Sequence, residues 1–280
     1  MFAFEYSDTQ LKEKIEDPEK HYPEDVRREL PYFLQALERN GEVSGTDYFR
    51  GDINKISAKT FYLHYVSDHQ KRIVKLIDLK VRSAELLKRN FSITNEWDDS
   101  DVIEAIPQCD RPEKLIKALE LIASGVTSSY DLGYQLGHRG KKKEYISRHG
   151  NYTRQALDVL KLVDSQPDGR KLVPVLTKRG KHIAMSADSQ IQNKLLTVAM
   201  LNYRPIWMVI NATTEGDDEF SQDIIRELVF PEELREADTC SRRSQTIRTW
   251  IQWIASTSGI PIRLPGGYKQ LHLFSASIAQ

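Results

Sequence analysis

The chain has 280 residues, and its 40 basic and 40 acidic side chains cancel to a formal charge of zero. A hydrophobic share of 40% is enough for sizeable cores, and the length suits about two domains, so wholesale disorder is excluded. No run of ~18 apolar residues is present, which excludes a membrane helix. The opening Met1-Phe2-Ala3-Phe4-Glu5 lacks a basic or apolar leader pattern, so a cytoplasmic protein is expected. Cys109 and Cys240 are too few for a disulfide framework or a structural zinc site and read as inert thiols.

The first 108 residues read as an α+β domain. Val26, Leu30, Phe33, Leu34 and Leu37 fall at helical spacings and predict a helix from Pro23 to Glu38. Two β-branched and aromatic runs follow, Lys59–Val66 and Arg72–Leu79, with Ser67-Asp68-His69-Gln70 between them as a hairpin turn. The acidic stretch from Asn95 to Asp101 reads as a linker.

From Asp110 the pattern is helical. An Asp cap, a first-turn proline and Glu113 start a helix that ends at Gly125. Ser128 and Asp131 form a capping-box-like pair on a short second helix that runs to Gly137. A basic loop leads to a third helix, Asn151–Leu160, and then two strands surround the turn Pro167-Asp168-Gly169. Helix, helix, helix and hairpin in this order predict a winged helix-turn-helix over 109–185. The order repeats over 186–280. Helical stretches cover Asp188–Ala212 with a break at Pro205, and a short helix spans Phe220–Leu228. A long helix starts at Ser241, and a hairpin joins Ile260–Leu264 to Tyr268–Phe274 through Pro265-Gly266-Gly267. The expected fold is therefore α+β, mainly α: an N-terminal α+β domain and two tandem winged helices.

Zero net charge argues against a nucleic-acid partner only as an average. Residues 241–280 hold Arg242, Arg243, Arg248, Arg263 and Lys269 without one Asp or Glu, whereas 214–238 is strongly acidic. That acidic block alternates with apolar residues and reads as a charged helix face that would turn DNA away. On the helix from Ser241, Ile247, Trp250, Ile251 and Ile254 make the buried stripe. Arg242, Arg243, Gln245, Thr246, Arg248 and Thr249 lie opposite, side chains able to reach base edges or phosphates in a major groove. The first module offers Lys141, Lys142, Lys143 and Arg148 for phosphates, with His149, Asn151, Thr153 and Arg154 at its third helix. Arg170 and Lys171 on the first wing, and Tyr268 and Lys269 on the second, are candidate groove or backbone contacts. A nuclease reading has one weak anchor. Asp78-Leu79-Lys80 is a D-x-K tripeptide, and with Asp52 it could place two carboxylates on a Mg²⁺ ion beside a lysine. No phosphate-cradling glycine loop and no His-x-x-x-His metal spacing occurs.

Three stretches carry a family resemblance: Ala105–Leu115, Arg148–Ala156 and Ser241–Trp253. Over about 105–275 the chain resembles the tandem winged-helix recognition regions of bacterial restriction-modification and related phage-defence proteins. The resemblance implies sequence-specific binding of double-stranded DNA, with Asn151, Thr153, Arg154, Arg242, Arg243, Gln245 and Thr246 as reading residues. Cutting would belong to a nuclease domain elsewhere or to a separate subunit, and the implied partner is a nuclease or methyltransferase subunit. No cofactor is then required for binding, and Mg²⁺ only if the chain is itself a small endonuclease. A transcriptional regulator whose first 108 residues bind a ligand or dimerise is the alternative, and a homodimer is compatible with both. A winged-helix scaffold that binds protein is the third reading.

Overall fold

A computed structural model describes residues 1–94, 106–140, 142–169, 171–215, 224–230, 232, 235 and 238–264. The chain is α+β and mainly α, and it divides into two compact units. One holds Met1–Asn90 with Gly259–Ile262; the other holds Phe91–Ser258 with the residues from Arg263 onward. The boundary expected at 185/186 thus lies inside the second unit. Among the described residues no helix is long and apolar enough to cross a membrane.

The first unit is built on a five-stranded sheet: β1 (Ala3–Tyr6), β2 (Asp47–Arg50), β3 (Ile53–Ser57), β4 (Phe61–Asp68) and β5 (Ile73–Val81). The order is β1-β5-β4-β3-β2; β1 runs parallel to β5 and the other neighbours are antiparallel. The helices are α1 (Thr9–Glu16), α2 (Pro18–His21), α3 (Glu24–Asn40) and α4 (Ser83–Asn90). Val26, Leu30 and Leu37 bury one stripe of α3, and Phe33 meets Phe61 of β4 edge-to-face at 5.6 Å. The β4–β5 hairpin is the expected one, its turn two residues later than Ser67–Gln70. The Glu29 carboxylate of α3 accepts hydrogen bonds from Lys59 N (3.1 Å), Thr60 N (3.1 Å) and Thr60 Oγ1 (2.5 Å), which ties the β3–β4 turn to the helix.

The second unit opens with α5 (Pro112–Ala123), α6 (Ser129–Gln135) and α7 (Lys143–Val159), then the hairpin β6 (Val163–Asp168) and β7 (Lys171–Leu176). This is the helix–helix–helix–hairpin order expected of a first winged module, with Gly169 at φ +59° in the turn. Three local details differ. Arg111, not Asp110, is the cap residue of α5, without a side-chain bond. Helix α7 begins eight residues earlier than Asn151, because the run Lys143-Glu144-Tyr145-Ile146 continues the helix instead of forming a loop. Thr177 caps an unforeseen helix, α8 (Lys178–Met185), accepting from Gly180 N at 3.1 Å. Ser128 caps α6 as expected, accepting from Asp131 N at 3.0 Å.

Helices α9 (Ser189–Leu201), α10 (Arg204–Glu215), α11 (Ile224–Val229) and α12 (Asp238–Ser258) complete this unit. Pro205 sits in the first turn of α10, where its missing N–H is not needed. Ile247, Trp250, Ile251 and Ile254 are fully buried, and Trp250 Nε1 donates to Cys109 O at 2.9 Å. The expected second wing is corrected in its first arm. Ile260–Leu264 forms no strand, and Gly259–Ile262 belongs to the first unit, where Ser83 Oγ donates to Pro261 O. Its second arm, Tyr268–Phe274, lies outside the described residues. Both cysteines are buried and free, and burial pushes the Cys109 thiol up to about 11, as expected of an inert group.

Candidate nucleic-acid interface

Two glycines set the geometry of the first helix-turn-helix. A Cβ on Gly133 of α6 would stand 2.2 Å from Ile146 O, and one on Gly150 of α7 would stand 1.9 Å from Ser129 O. Backbone therefore meets backbone where α6 crosses α7. Ile146, Gly150, Thr153, Ala156 and Leu157 form the buried side of α7. The opposite side exposes Glu144, Arg148, Asn151, Gln155 and Asp158 at steps of four, three, four and three, one straight stripe. Lys142 and Lys143 are exposed at its first turn.

The stripe is braced from beneath. Ser129 Oγ donates to Asn151 Oδ1 at 2.5 Å, which leaves the Asn151 amide hydrogens for an external acceptor. Arg154 Nη1 donates to Ser129 Oγ at 3.2 Å and Nη2 to Leu172 O of β7 at 3.4 Å. One guanidinium thus joins α6, α7 and the hairpin, and burial draws its pKa down. Asn151, Arg154 and Gln155 line a groove of about 200 Å³ between α7 and the hairpin, with Ser165 and Pro174 on the other wall. Beside the stripe, Arg139 lies 4.1 Å over the Tyr134 ring and Lys143 lies 4.9 Å over Tyr130, so two cations are held against an aromatic pair on α6.

Behind the start of α7, Lys114 Nζ approaches His138 Nε2 to 3.2 Å. The His138 ring stacks on His149 at 4.2 Å, and Tyr145 meets His149 edge-on at 4.5 Å. Burial, then Lys114, His149 and Arg111, pull His138 down to about 4. His149 is lowered by burial, Lys114 and Arg148.

On α12, Arg242 and Gln245 are exposed, and Arg243, Arg248, Thr249 and Gln252 are half-buried. Gln245 Nε2 donates to Thr249 Oγ1 at 3.2 Å. Two expected contacts are corrected. Thr153 and Thr246 are buried, and their hydroxyls donate to the carbonyls of His149 (3.1 Å) and Arg242 (3.4 Å), so they brace their helices and cannot reach a ligand. Lys171 is placed in β7 opposite Asp168. Lys141, Arg170, Tyr268 and Lys269 lie outside the described residues. Ser129, Tyr145 and Gln155 were not anticipated; Gln155 follows Arg148 by seven and becomes visible once the helix is started at Lys143.

The D-x-K residues are not assembled into a metal site with Asp52. Register pairs Lys55 with His64 and His64 with Asp78, so Asp52 lies two strands over and about three residues along from Asp78. Strand spacing of about 4.8 Å and a rise of about 3.3 Å put their backbone positions about 14 Å apart, too far for two Asp side chains to share one cation. Lys80 is buried, paired in register with Tyr62. Among the described residues no group of three or more His, Cys, Asp or Glu side chains could hold a metal ion.

Residues 138–259, from the segment between α6 and α7 through α12, match the model of a protein family described as a domain of unknown function (DUF7226). No curated protein and no solved structure matches the chain.

Proposed function

We propose that the chain binds double-stranded DNA in a sequence-specific way, with α7 as the reading helix and the β6–β7 hairpin beside it on the backbone. One observation carries the reading: the exposed stripe of Arg148, Asn151 and Gln155, with no carboxylate between Glu144 and Asp158 and two lysines at its start. Asn and Gln are side chains that make paired hydrogen bonds to adenine edges. Lys142, Lys143, Arg139 and Arg148 supply phosphate contacts, which fix register and carry the salt-sensitive part of the affinity. Arg242 and Gln245 on α12 offer a second polar face of the same chemistry. A role as recognition component or small endonuclease of a restriction or phage-defence system rests on the family resemblance alone and is proposed on that ground.

The experiment is selection of the full chain on a pool of unmethylated and modified duplexes, scored for retention with Ca²⁺ and for cleavage with Mg²⁺. Retention of one sequence, weakening steeply as salt rises, is the expected result. Absence of salt-sensitive retention for every duplex would overturn the reading and leave the basic faces to a protein partner. Mg²⁺-dependent cleavage would require a catalytic group other than an Asp52–Asp78 pair.

A further inference from the structure

A second site lies at the far end of α7. The end of α7, the start of α8 and the end of α9 surround a cavity of about 380 Å³. We propose that it binds a small phosphorylated ligand, a phosphate monoester on an apolar or aromatic body, of which a nucleoside 5′-monophosphate is the type. The cavity has a buried, mostly apolar floor and a cationic rim. Leu160, Ala199 and Tyr203 form the floor and are 2%, 2% and 4% exposed. Lys161, Lys178 and Arg179 stand around the rim, all exposed, and among the described residues no carboxylate lines the cavity. Among the described residues none of these three cations forms an ion pair. The volume is that of small-ligand clefts, which run to about 300–1,000 Å³.

The neutral polar wall is already engaged within the protein. Thr177 Oγ1 donates to Lys161 O (3.0 Å) and Leu162 O (3.2 Å) and accepts from Gly180 N. Asn202 Oδ1 accepts from Thr94 N (2.7 Å) and Thr94 Oγ1 (2.8 Å). Recognition is therefore left to the cations, and a phosphate is the anion that three of them suit. Lys161 adds an independent mark. It closes α7 with Lys161 N donating to Asp158 O (2.8 Å) and Leu162 N to Leu157 O (2.9 Å), at φ +54°. That position favours glycine; a lysine there carries a backbone penalty and holds a charge at the cavity mouth. The site goes beyond duplex recognition and does not depend on it.

Titration calorimetry of the full chain with adenosine 5′-monophosphate, adenosine and inorganic phosphate tests the assignment. The monophosphate is expected to bind at least about tenfold more tightly than either fragment. Lys161→Gly is expected to melt no lower than the wild type yet bind the monophosphate about tenfold more weakly, and Lys178→Glu with Arg179→Glu to abolish binding. Equal affinity for adenosine would remove the phosphate from the recognition, and equal affinity for inorganic phosphate would remove the apolar body; each overturns the proposal. Displacement of the monophosphate by a short duplex would make the rim a DNA surface and overturn it as well, as would no binding at about 1 mM. A chain that fails to retain DNA yet binds the monophosphate would refute the duplex reading alone.

Discussion

Lys114 Nζ and His138 Nε2 meet 3.2 Å apart, an arrangement that holds only while the imidazole is neutral and accepts a hydrogen bond from the lysine ammonium. Arg111 and the stacked His149 add to the cost of protonating His138, and Arg148 acts in the same way on His149. The unfolded chain takes up a proton at His138 near pH 6.5, but the folded chain resists until about 4. A base with a depressed folded pKa leaves stability fully present above 6.5 and lowers it as pH falls from 6.5 toward 4. Because both rings are half-exposed, solvent screening cuts the effect to about 1–2 kcal/mol. The second unit is expected to melt about 3–6 °C lower at pH 5 than at pH 7.5, with a smaller drop in His138→Gln. An unchanged drop in that variant would place the pH sensitivity elsewhere.

Gly133 and Gly150 make a prediction that runs against helix propensity. Alanine is the better helix former by about 1 kcal/mol, so an uncrowded site would gain from the change. Here the added methyls would stand 2.2 and 1.9 Å from backbone oxygens, and backbone cannot rotate aside as a side chain can. Gly150→Ala is expected to destabilise the second unit by about 2–3 kcal/mol and to spread α6 from α7. Denaturant midpoints measure it, and a neutral or stabilising result would mean that the two helices cross less closely.

The helix-turn-helix was legible where local chemistry is explicit. Ser128 with Asp131, Gly137 and Gly169 each fix a boundary by their own backbone demands, and the elements follow them, although Pro167 and Asp168, expected in the hairpin turn, are still paired within β6. The start of α7 was hidden because Lys141-Lys142-Lys143 reads as a solvated loop and Gly150 interrupts the apolar rhythm. Only the close crossing with α6 explains a glycine there, and that contact is tertiary. Thr153 and Thr246 failed for a related reason. Their hydroxyls look suited to recognition, but a shift of one step around a helix decides between solvent and core. The Lys161–Lys178–Arg179 rim joins residues from a helix end and a helix that the hydrophobic pattern did not announce. Asp52 and Asp78 looked like partners because an upstream Asp followed by a D-x-K tripeptide matches a nuclease pattern, and strand register separates them.

Glu29 is a half-buried carboxylate that holds two backbone amides and a hydroxyl at the β3–β4 turn. Hydrogen bonds to a charged acceptor contribute about 1.5–3 kcal/mol, and their loss would leave Thr60, itself buried, without its acceptor. Glu29→Ala is expected to destabilise the first unit by about 2–3 kcal/mol, and Glu29→Gln by less, since an amide oxygen can still accept. Chemical denaturation separates the two, and equal losses would show that the helix packing rather than the carboxylate matters there.

Arg148 and Asn151 sit three residues apart on one exposed stripe, yet their removal should have different signatures on duplex DNA. Arg148 stands near the lysine-rich start of α7, where on the proposed reading a guanidinium would meet phosphate. Arg148→Ala is expected to weaken all duplexes about equally and to reduce the slope of log affinity against log salt by about 0.9. Asn151 has its oxygen pinned by Ser129 and its amide hydrogens outward, the arrangement that suits a base acceptor. Asn151→Ala is expected to cost about 1–3 kcal/mol on the preferred sequence, little on random duplex, and to leave the salt slope alone. Gln155→Ala should behave as Asn151→Ala does, one turn further along the stripe. Binding isotherms on preferred and random duplexes at two salt concentrations distinguish these outcomes. An Asn151→Ala loss equal on both duplexes would make α7 a backbone contact, and the reading helix would then have to be sought on α12, at Arg242 and Gln245.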